Sequence, residues 1–131
     1  MSTSSRTLEE NKRLVLKFIG LLVDPATSHL ARELMSPEYI QHNPNIASGR
    51  EAIIAWTQSD QAARAREGMR PVGEPLLIAE GDKVMMMLTR ELPHPTQPGQ
   101  TYITQWFDLW RIQDGKLVEH WDGALLEPEC A

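Results

Sequence analysis

The chain has 131 residues, an apolar content of 41%, a charged content of 24% and a formal net charge of −5. This length fits one domain with a real core, and the composition is ordinary for a globular protein. The net negative charge, without any basic run, argues against nucleic-acid binding, and no stretch reaches the ~20 apolar residues of a membrane span. We therefore expect a single cytoplasmic domain over 1–131, with flexible tails at 1–6 and 127–131.

The first half of the chain begins with helical patterns. A capping box at Thr7 and Glu10 precedes apolar residues at helical spacing, which predicts a helix over 8–22 with one buried face. An Asp-Pro step at 24–25 is typical of a helix start, and it predicts a short second helix through Leu34.

A short strand and a third helix follow. Residues 39–42, Y-I-Q-H, have strand character, and the Asn-Pro step behind them ends the strand. Ser48 and Glu51 form a second capping box, which predicts a helix over roughly 49–64.

The second half of the chain changes to strand patterns. Two apolar runs, 76–79 and 84–88, flank a Glu-Gly-Asp turn and predict a tight hairpin. A proline-rich loop over 92–100 follows. The segment 100–122 has two aromatic and β-branched runs around Asp-Gly, the strongest short-range signal for a hairpin. Three helices followed by antiparallel strands predict an α+β domain, with the helices packed on one face of a curved sheet.

The register of the last hairpin decides which polar side chains meet. A three-residue loop that ends at the glycine would pair Asp108 with His120 and Trp106 with Asp122. Because side chains on one face recur every second residue, these four would share a face with Trp110. The opposite face would carry Phe107, Leu109, Leu117 and Trp121.

A two-residue Asp-Gly turn is the alternative. It shifts the pairing by one residue, so that His120 and Asp122 would leave the face of Asp108. One residue of slip therefore separates a clustered acid–histidine–acid site from a dispersed one. We expect the three-residue loop.

The chain resembles the SnoaL-like branch of the nuclear transport factor 2-like superfamily. The resemblance runs from about Leu8 to Asp122, and its specific parts are Y-I-Q-H-N-P and F-D-L-W-R-I-x-D-G-K-L-V-E-H-W-D. It implies a cone-shaped, barrel-like α+β fold whose strongly curved, mostly antiparallel sheet encloses a pocket. It also implies a homodimer and no cofactor. Relatives include polyketide cyclases that perform intramolecular aldol condensation, in which an aspartate on the last strand is the acid/base; Asp122 matches it.

The candidate catalytic residues are polar groups in an apolar setting. Opposite Trp106, the carboxylate of Asp122 would be desolvated, which would raise its pKa toward that of a base working near neutral pH. Asp108 could orient His120 to donate to a substrate oxygen, although the same pair could be a buried structural hydrogen bond. His42, at the end of its strand, is expected to line the pocket mouth.

Aromatic residues are the candidate substrate contacts. Tyr39 could supply an oxyanion donor, and Trp56, Trp106 and Trp110 could shape a pocket for a flat ligand, although each could simply fill the core. No metal is expected, because the histidines and acids lack the spacing of a known metal motif. The single cysteine, Cys130, can form no internal disulfide, and its position next to the end argues against catalysis.

These patterns favour a cofactor-independent acid/base enzyme that acts on a small hydrophobic carbonyl compound. The reaction would abstract a proton beside the carbonyl and lead to aldol cyclisation or isomerisation. Two alternatives stay open. One is a binding module that holds a small molecule without turnover, and the other is a hydrolase or dehydratase that activates water with the same carboxylates.

Overall fold

Helices form the first layer of the fold. The computed structural model describes residues 5–128. Its helices are α1 (Ser5–Leu22), a 3-10 helix (Ser28–Leu34), α2 (Arg50–Thr57) and α3 (Asp60–Arg66). Val15, Phe18 and Leu22 are buried at three- and four-residue spacing on α1, as the helical pattern predicts. Of the expected tails, 1–4 and 129–131, together with Cys130, lie outside the described residues, whereas Ser5 and Arg6 belong to α1.

The predicted third helix is in fact two helices. Ser59 interrupts it, because its hydroxyl accepts a hydrogen bond from the backbone N–H of Ala62 at 3.2 Å and so caps the start of α3. The expected capping box at Ser48 is also wrong. The Ser48 hydroxyl accepts instead from the N–H of Gln41 at 2.9 Å, and Gly49 takes the N-cap position of α2. Residues 5–128 therefore form four helical segments where three were predicted.

A mixed six-stranded sheet forms the second layer. Its strands are β1 (Met35–Gln41), β2 (Arg70–Pro71), β3 (Leu76–Glu80), β4 (Lys83–Pro93), β5 (Thr101–Gln113) and β6 (Lys116–Asp122). The order is β1-β6-β5-β4-β2, with β3 also paired to β4. Only the β1–β6 pair is parallel. The α+β class and the mostly antiparallel pairing are confirmed. The sheet is open, with β1 and β2 at its ends, and is not closed into a barrel.

The core lies between the helices and one face of the sheet. Val84 and Met86 point into it from β4, and Trp110 and Leu117 point into it from β5 and β6. The opposite face of the sheet is less covered, since Phe107 is 50% exposed. The expected homodimer stays a prediction. Among the described residues, no helix has both the length and the apolar character to cross a membrane.

The turn between β5 and β6 has two residues, so the expected three-residue loop is wrong. Asp114 and Gly115 both have positive φ, 52° and 74°, which is the signature of a type I′ turn. Gln113 consequently pairs with Lys116. Aspartate tolerates this left-handed conformation and glycine adopts it freely.

A β-bulge then restores the expected faces. Val118 is an extra residue in β6: Ile112 pairs with Leu117, but the next pair is Arg111 with Glu119. Beyond the bulge, Trp110 pairs with His120 and Asp108 with Asp122. The expected pairs, Asp108 with His120 and Trp106 with Asp122, are therefore wrong. Their shared face is nevertheless correct, because the turn and the bulge together displace β6 by two residues from the expected register.

Leu117 lies before the bulge, so its side chain does not follow the expected face. It was expected on the outer face with Phe107 and Trp121, but its side chain is fully buried. The reason is that Leu117 lies before the bulge, where the two-residue turn places it opposite the inward-facing Ile112.

Candidate functional site

A cavity of about 610 Å³ lies between the helices and the inner face of the sheet. This volume is within the range of about 300–1,000 Å³ that is typical of small-molecule sites. Its walls are mainly apolar, and the residues that form them include Phe18, Ile53, Met86, Leu88, Trp106 and Trp110. The cavity is therefore large enough and apolar enough to hold a small organic molecule.

Three ionisable side chains meet at the cavity wall. Nε2 of His120 lies 2.8 Å from Oδ1 of Asp108 and 3.9 Å from Oδ2 of Asp122. The three side chains are 8%, 13% and 3% exposed, respectively. Asp108 and Asp122 are directly opposite each other on β5 and β6, where two carboxylates would repel. The imidazole of His120 contacts both and can carry a proton between them.

Gln41 determines the tautomer of His120. Nδ1 of His120 lies 2.6 Å from Oε1 of Gln41, and the same oxygen accepts the backbone N–H of Asn43 at 3.0 Å. The Asn43 contact identifies this atom as the amide oxygen, so Nδ1 must carry a hydrogen and donate it. The short contact between Nε2 and Asp108 then requires a second proton, on either Nε2 or the carboxyl group. His120 and Asp108 together therefore hold one transferable proton.

Asp122 has a different environment from Asp108. Its Oδ2 accepts a hydrogen bond from Nδ2 of Asn43 at 2.9 Å, and its Oδ1 accepts from the N–H of Ala124 at 2.9 Å. Both contacts come from N–H donors, which suits a carboxylate without a proton. The site thus combines a pair that carries a proton, His120 and Asp108, with a proton acceptor, Asp122.

Tyr39 adds a buried hydroxyl to the cavity wall. Its oxygen accepts a hydrogen bond from the indole N–H of Trp110 at 3.2 Å, and the residue is 1% exposed. Burial raises the pKa of the Tyr39 phenol well above its ordinary value, so the hydroxyl keeps its proton at neutral pH. No described residue accepts that hydrogen, which leaves Tyr39 able to donate to a ligand oxygen.

His42 does not lie at this site, which corrects the expectation that it lines the pocket. Alternation along β1 turns Tyr39 and Gln41 inward, so the next side chain points outward. There, Nε2 of His42 lies 2.7 Å from Oε2 of Glu119, and the imidazole ring stacks on Trp121 at 5.0 Å. His42 is part of the outer surface of the sheet.

The remaining predicted residues all line the cavity. These are Tyr39, Trp56, Trp106, Trp110, Asp108, His120 and Asp122. Trp106 also donates its indole N–H to Oδ1 of Asp108 at 3.2 Å. Sequence reasoning missed Gln41, Asn43 and Arg90. Of these, Arg90 had a visible signal, because it continues the alternate positions Val84, Met86 and Leu88 along β4.

The acid–histidine–acid cluster also offers the donor atoms of a metal site. One atom from each of Asp108, His120 and Asp122 lies within 4.8 Å of the others, and no other group of this kind occurs in residues 5–128. In the present geometry, however, Nε2 of His120 is engaged with Asp108 at hydrogen-bond distance.

Glu119 lies on the outer face of β6, where its carboxylate contacts His42 and Arg111. The pKa of Glu119 is lowered, first by its hydrogen bond from His42 and then by Arg111, whose Nε lies 2.9 Å from Oε1 of Glu119. A carboxylate whose folded-state pKa is lowered stabilises the fold above its ordinary pKa of about 4.3, and this contribution is lost as pH falls through the lowered value.

We expect Glu119→Gln to lower the free energy of unfolding by up to about 1 kcal/mol at pH 7. The difference from the unmodified chain should shrink as pH falls through the lowered pKa of Glu119, as measured by urea denaturation at a series of pH values. Glu80→Gln is the matched control, because Glu80 is exposed and has no ion pair among the described residues. Equal stability of Glu119→Gln and the unmodified chain at pH 7 would contradict this role.

Comparison with known proteins agrees with this fold. A sequence profile of the SnoaL-like domain matches residues 23–120, two residues short of Asp122. Comparison with curated proteins finds no match. Among solved structures, the chain is similar to a candidate SnoaL-like polyketide cyclase from Jannaschia sp. CCS1, with a TM-score of 0.63, 23% identity, and coverage of 92% of this chain and 88% of that one.

Two further structures show the same fold. One is a candidate polyketide cyclase from Bacillus cereus ATCC 10987, with a TM-score of 0.65, 19% identity, and coverage of 92% of this chain and 77% of that one. The other is AclR, a candidate hydroxylase from Streptomyces galilaeus, with a TM-score of 0.62, 20% identity and 93% coverage of both chains. Identities this low establish the fold, and the chemistry has to be argued from the site.

Proposed function

The chain belongs to the SnoaL-like domain family, and from this premise we propose that it is a cofactor-independent acid/base enzyme. Its substrate is a small, largely apolar carbonyl compound, and its reaction begins with removal of a proton from the carbon beside the carbonyl. Aldol ring closure or isomerisation follows. The size and apolar lining of the cavity support such a substrate.

The observation that carries this proposal is the different hydrogen bonding of two neighbouring groups. Asp122 accepts hydrogen bonds at both oxygens, while Nε2 of His120 lies 2.8 Å from Asp108 and 3.9 Å from Asp122. A base and an acid that must act on one substrate need such opposite protonation at the same pH. Two identical carboxylates thereby acquire different roles from their surroundings.

The proposed reaction balances within this site. Asp122 takes the α-proton, the C–H electron pair forms the C=C bond of an enolate, and the carbonyl π electrons move to oxygen. Tyr39 or the His120–Asp108 pair donates to that oxygen. In an aldol closure the enolate C=O re-forms as its carbon bonds to a second carbonyl carbon, and the oxygen of that second carbonyl takes the proton that Asp122 removed. In an isomerisation Asp122 returns its proton to another carbon.

A binding module without turnover is the rival function, and deuterium exchange separates the two. Apolar ketones and 1,3-diketones that bind the chain are incubated with it in D2O, and loss of their α-hydrogens is followed by NMR. We expect exchange faster than in buffer alone, with a rate that saturates as ligand is added. Ligands that bind without any accelerated exchange would show a binding module.

A chelator provides the control for the cofactor-independent part of the proposal. Asp108, His120 and Asp122 could together offer ligands to a metal ion, so each exchange reaction is repeated with EDTA. We expect the rate to stay unchanged. A rate that EDTA abolishes and added Zn²⁺ restores would replace the acid/base proposal with a metal-assisted one.

A further inference from the structure

Arg90 is a cation without a protein partner on the cavity wall. It lies on β4, and its Nε is buried without a hydrogen-bond partner. No described residue forms an ion pair or a side-chain hydrogen bond with it. Arg90 as a whole is half-buried, and a guanidinium that is partly removed from water is normally paired with an acceptor, because burying an unpaired charge is unfavourable. The position of Arg90 therefore calls for a compensating group.

The contacts that Arg90 does make hold it in place without neutralising it. Its Cζ lies 5.1 Å from the ring centroid of Trp106, a cation–π contact. Such a contact is weaker than a charge-assisted hydrogen bond and leaves the N–H donors without acceptors. Trp106 also donates to Asp108, so one indole connects Arg90 to the acid–histidine–acid cluster.

Two further arginines line the same cavity as Arg90, although the chain as a whole carries a net charge of −5. Arg64 and Arg66 of α3 line the same cavity, and the chain runs from α3 directly to β2, whose Pro71 pairs with Arg90. Glu127 is the acidic residue that lines the cavity besides the two aspartates of the cluster. Three arginines and three acidic residues thus line the cavity as a whole, and none of these acids forms an ion pair with Arg90.

A second unpartnered donor also lines the cavity. The indole Nε1 of Trp56 is buried without a hydrogen-bond partner, like Nε of Arg90. No other buried side-chain nitrogen or oxygen in the described residues lacks a partner. Buried donors nearly always have acceptors, and the residues that carry these two, Trp56 and Arg90, both line the cavity. The unpartnered donors of the described residues therefore belong to residues that a ligand in this cavity would contact.

We propose that the ligand of this cavity is an apolar keto acid, whose carboxylate binds Arg90 while its carbonyl end lies at Asp108, His120 and Asp122. Guanidinium is the side chain best suited to a carboxylate, which it binds through two parallel hydrogen bonds. Met86 of β4 pairs with Asp108. Arg90 is four residues further along β4, so its Cα lies about 13 Å from the Cα of Met86. The two aspartates repel a carboxylate, so the charges also impose the direction of binding. This assignment rests on the proposed function only in placing the reacting carbonyl at the acidic end.

The test compares two probes of equal shape and different charge, naphthalene-2-carboxylate and naphthalene-2-carboxamide, by isothermal titration calorimetry. We expect the unmodified chain to bind the carboxylate at least about 10-fold more tightly than the amide. In Arg90→Met that preference should disappear, with affinity for the amide changed less than about 2-fold. Equal binding of both probes to the unmodified chain, an equal loss of both in Arg90→Met, or no binding of either at millimolar concentration would overturn the proposal.

Two controls accompany this test. Arg70→Met removes an exposed arginine that pairs with Glu91 outside the cavity, and it should leave the preference for the carboxylate intact. Arg90→Met should unfold at the same or a higher urea concentration than the unmodified chain, because it removes a half-buried charge that has no acidic partner and keeps an apolar side chain against Trp106. A carboxylate preference without deuterium exchange would uphold carboxylate binding at Arg90 and reject the proposed enzyme, so the two proposals fail separately.

Discussion

Asp122→Asn is expected to slow α-hydrogen exchange by about 10²- to 10⁴-fold, the usual contribution of a positioned general base. The amide has the same shape as the carboxylate but cannot take a proton from carbon. It also loses one of the two hydrogen bonds from Asn43 and Ala124, since only one of its polar atoms is an acceptor. The exchange rate in D2O, measured by NMR at saturating ligand, gives the size of the loss.

Affinity and a matched variant distinguish loss of the base from loss of the fold. The dissociation constant of the same ketone should change less than about 3-fold in Asp122→Asn, because the apolar walls supply most of the binding. Asp114→Asn makes the same chemical change in the exposed turn of the same hairpin, where asparagine suits the positive φ. Its exchange rate should match that of the unmodified chain. An Asp122→Asn variant that exchanges α-hydrogens as fast as the unmodified chain would show that Asp122 is not the base.

Trp110→Ala is expected to lower the free energy of unfolding by about 3–5 kcal/mol, the usual cost of truncating a buried tryptophan. Trp110 is 2% exposed, meets the ring of Phe18 edge-on at 6.0 Å, and lies 5.2 Å from the His120 ring. The variant leaves a cavity among these groups and removes the N–H that holds the Tyr39 hydroxyl. Because the free energy of unfolding of a single domain is only about 5–15 kcal/mol, the variant would lose a large part of its stability. Urea denaturation followed by circular dichroism measures it.

Phe107→Ala provides the comparison on the same strand. Phe107 is half exposed on the outer face, so its truncation should cost less than about 1 kcal/mol. A similar cost at both positions would mean that the outer face is as tightly packed as the inner one, for instance within an assembly. Repeating both measurements over a range of protein concentrations would detect such an assembly directly.

The fold class could be predicted because it depends on local periodicity. The stripe of Val15, Phe18 and Leu22 has helical spacing, and the Asp-Gly step between two aromatic runs indicates a hairpin. The split between α2 and α3 was missed because Ser59 resembles an ordinary helix residue until its hydroxyl is seen to cap a new start. Local patterns predict that an element exists better than they predict where it ends.

The register of the site could not be derived from the turn alone. The two-residue turn and the bulge at Val118 each move β6 by one residue relative to the expected three-residue loop, and together they return Asp108, His120 and Asp122 to one face. Nothing in K-L-V-E marks Val118 as an extra residue, since valine suits any strand position. The burial of the predicted cluster was therefore correct for a reason that the sequence does not reveal.

The partners of the cluster come from a distant part of the chain. Gln41 and Asn43 reach His120 and Asp122 because β1 pairs in parallel with β6, about 80 residues away in sequence. Parallel pairing leaves no turn signal that would identify the neighbouring strand. The same pairing explains why His42 points outward, which its motif alone could not show. Arg90, in contrast, could have been found from alternation along β4 alone.

The bulge at Val118 has a consequence for alignment with homologous chains. Asp122 lies seven positions after Gly115, but one of those positions is the inserted valine. A homologue with a regular strand would present its inward aspartate six positions after the turn glycine. An ungapped alignment anchored on that glycine would then match Asp122 with an outward-facing residue. Equivalent acidic residues should therefore be identified by the sheet face on which they lie, with a one-residue gap allowed in β6.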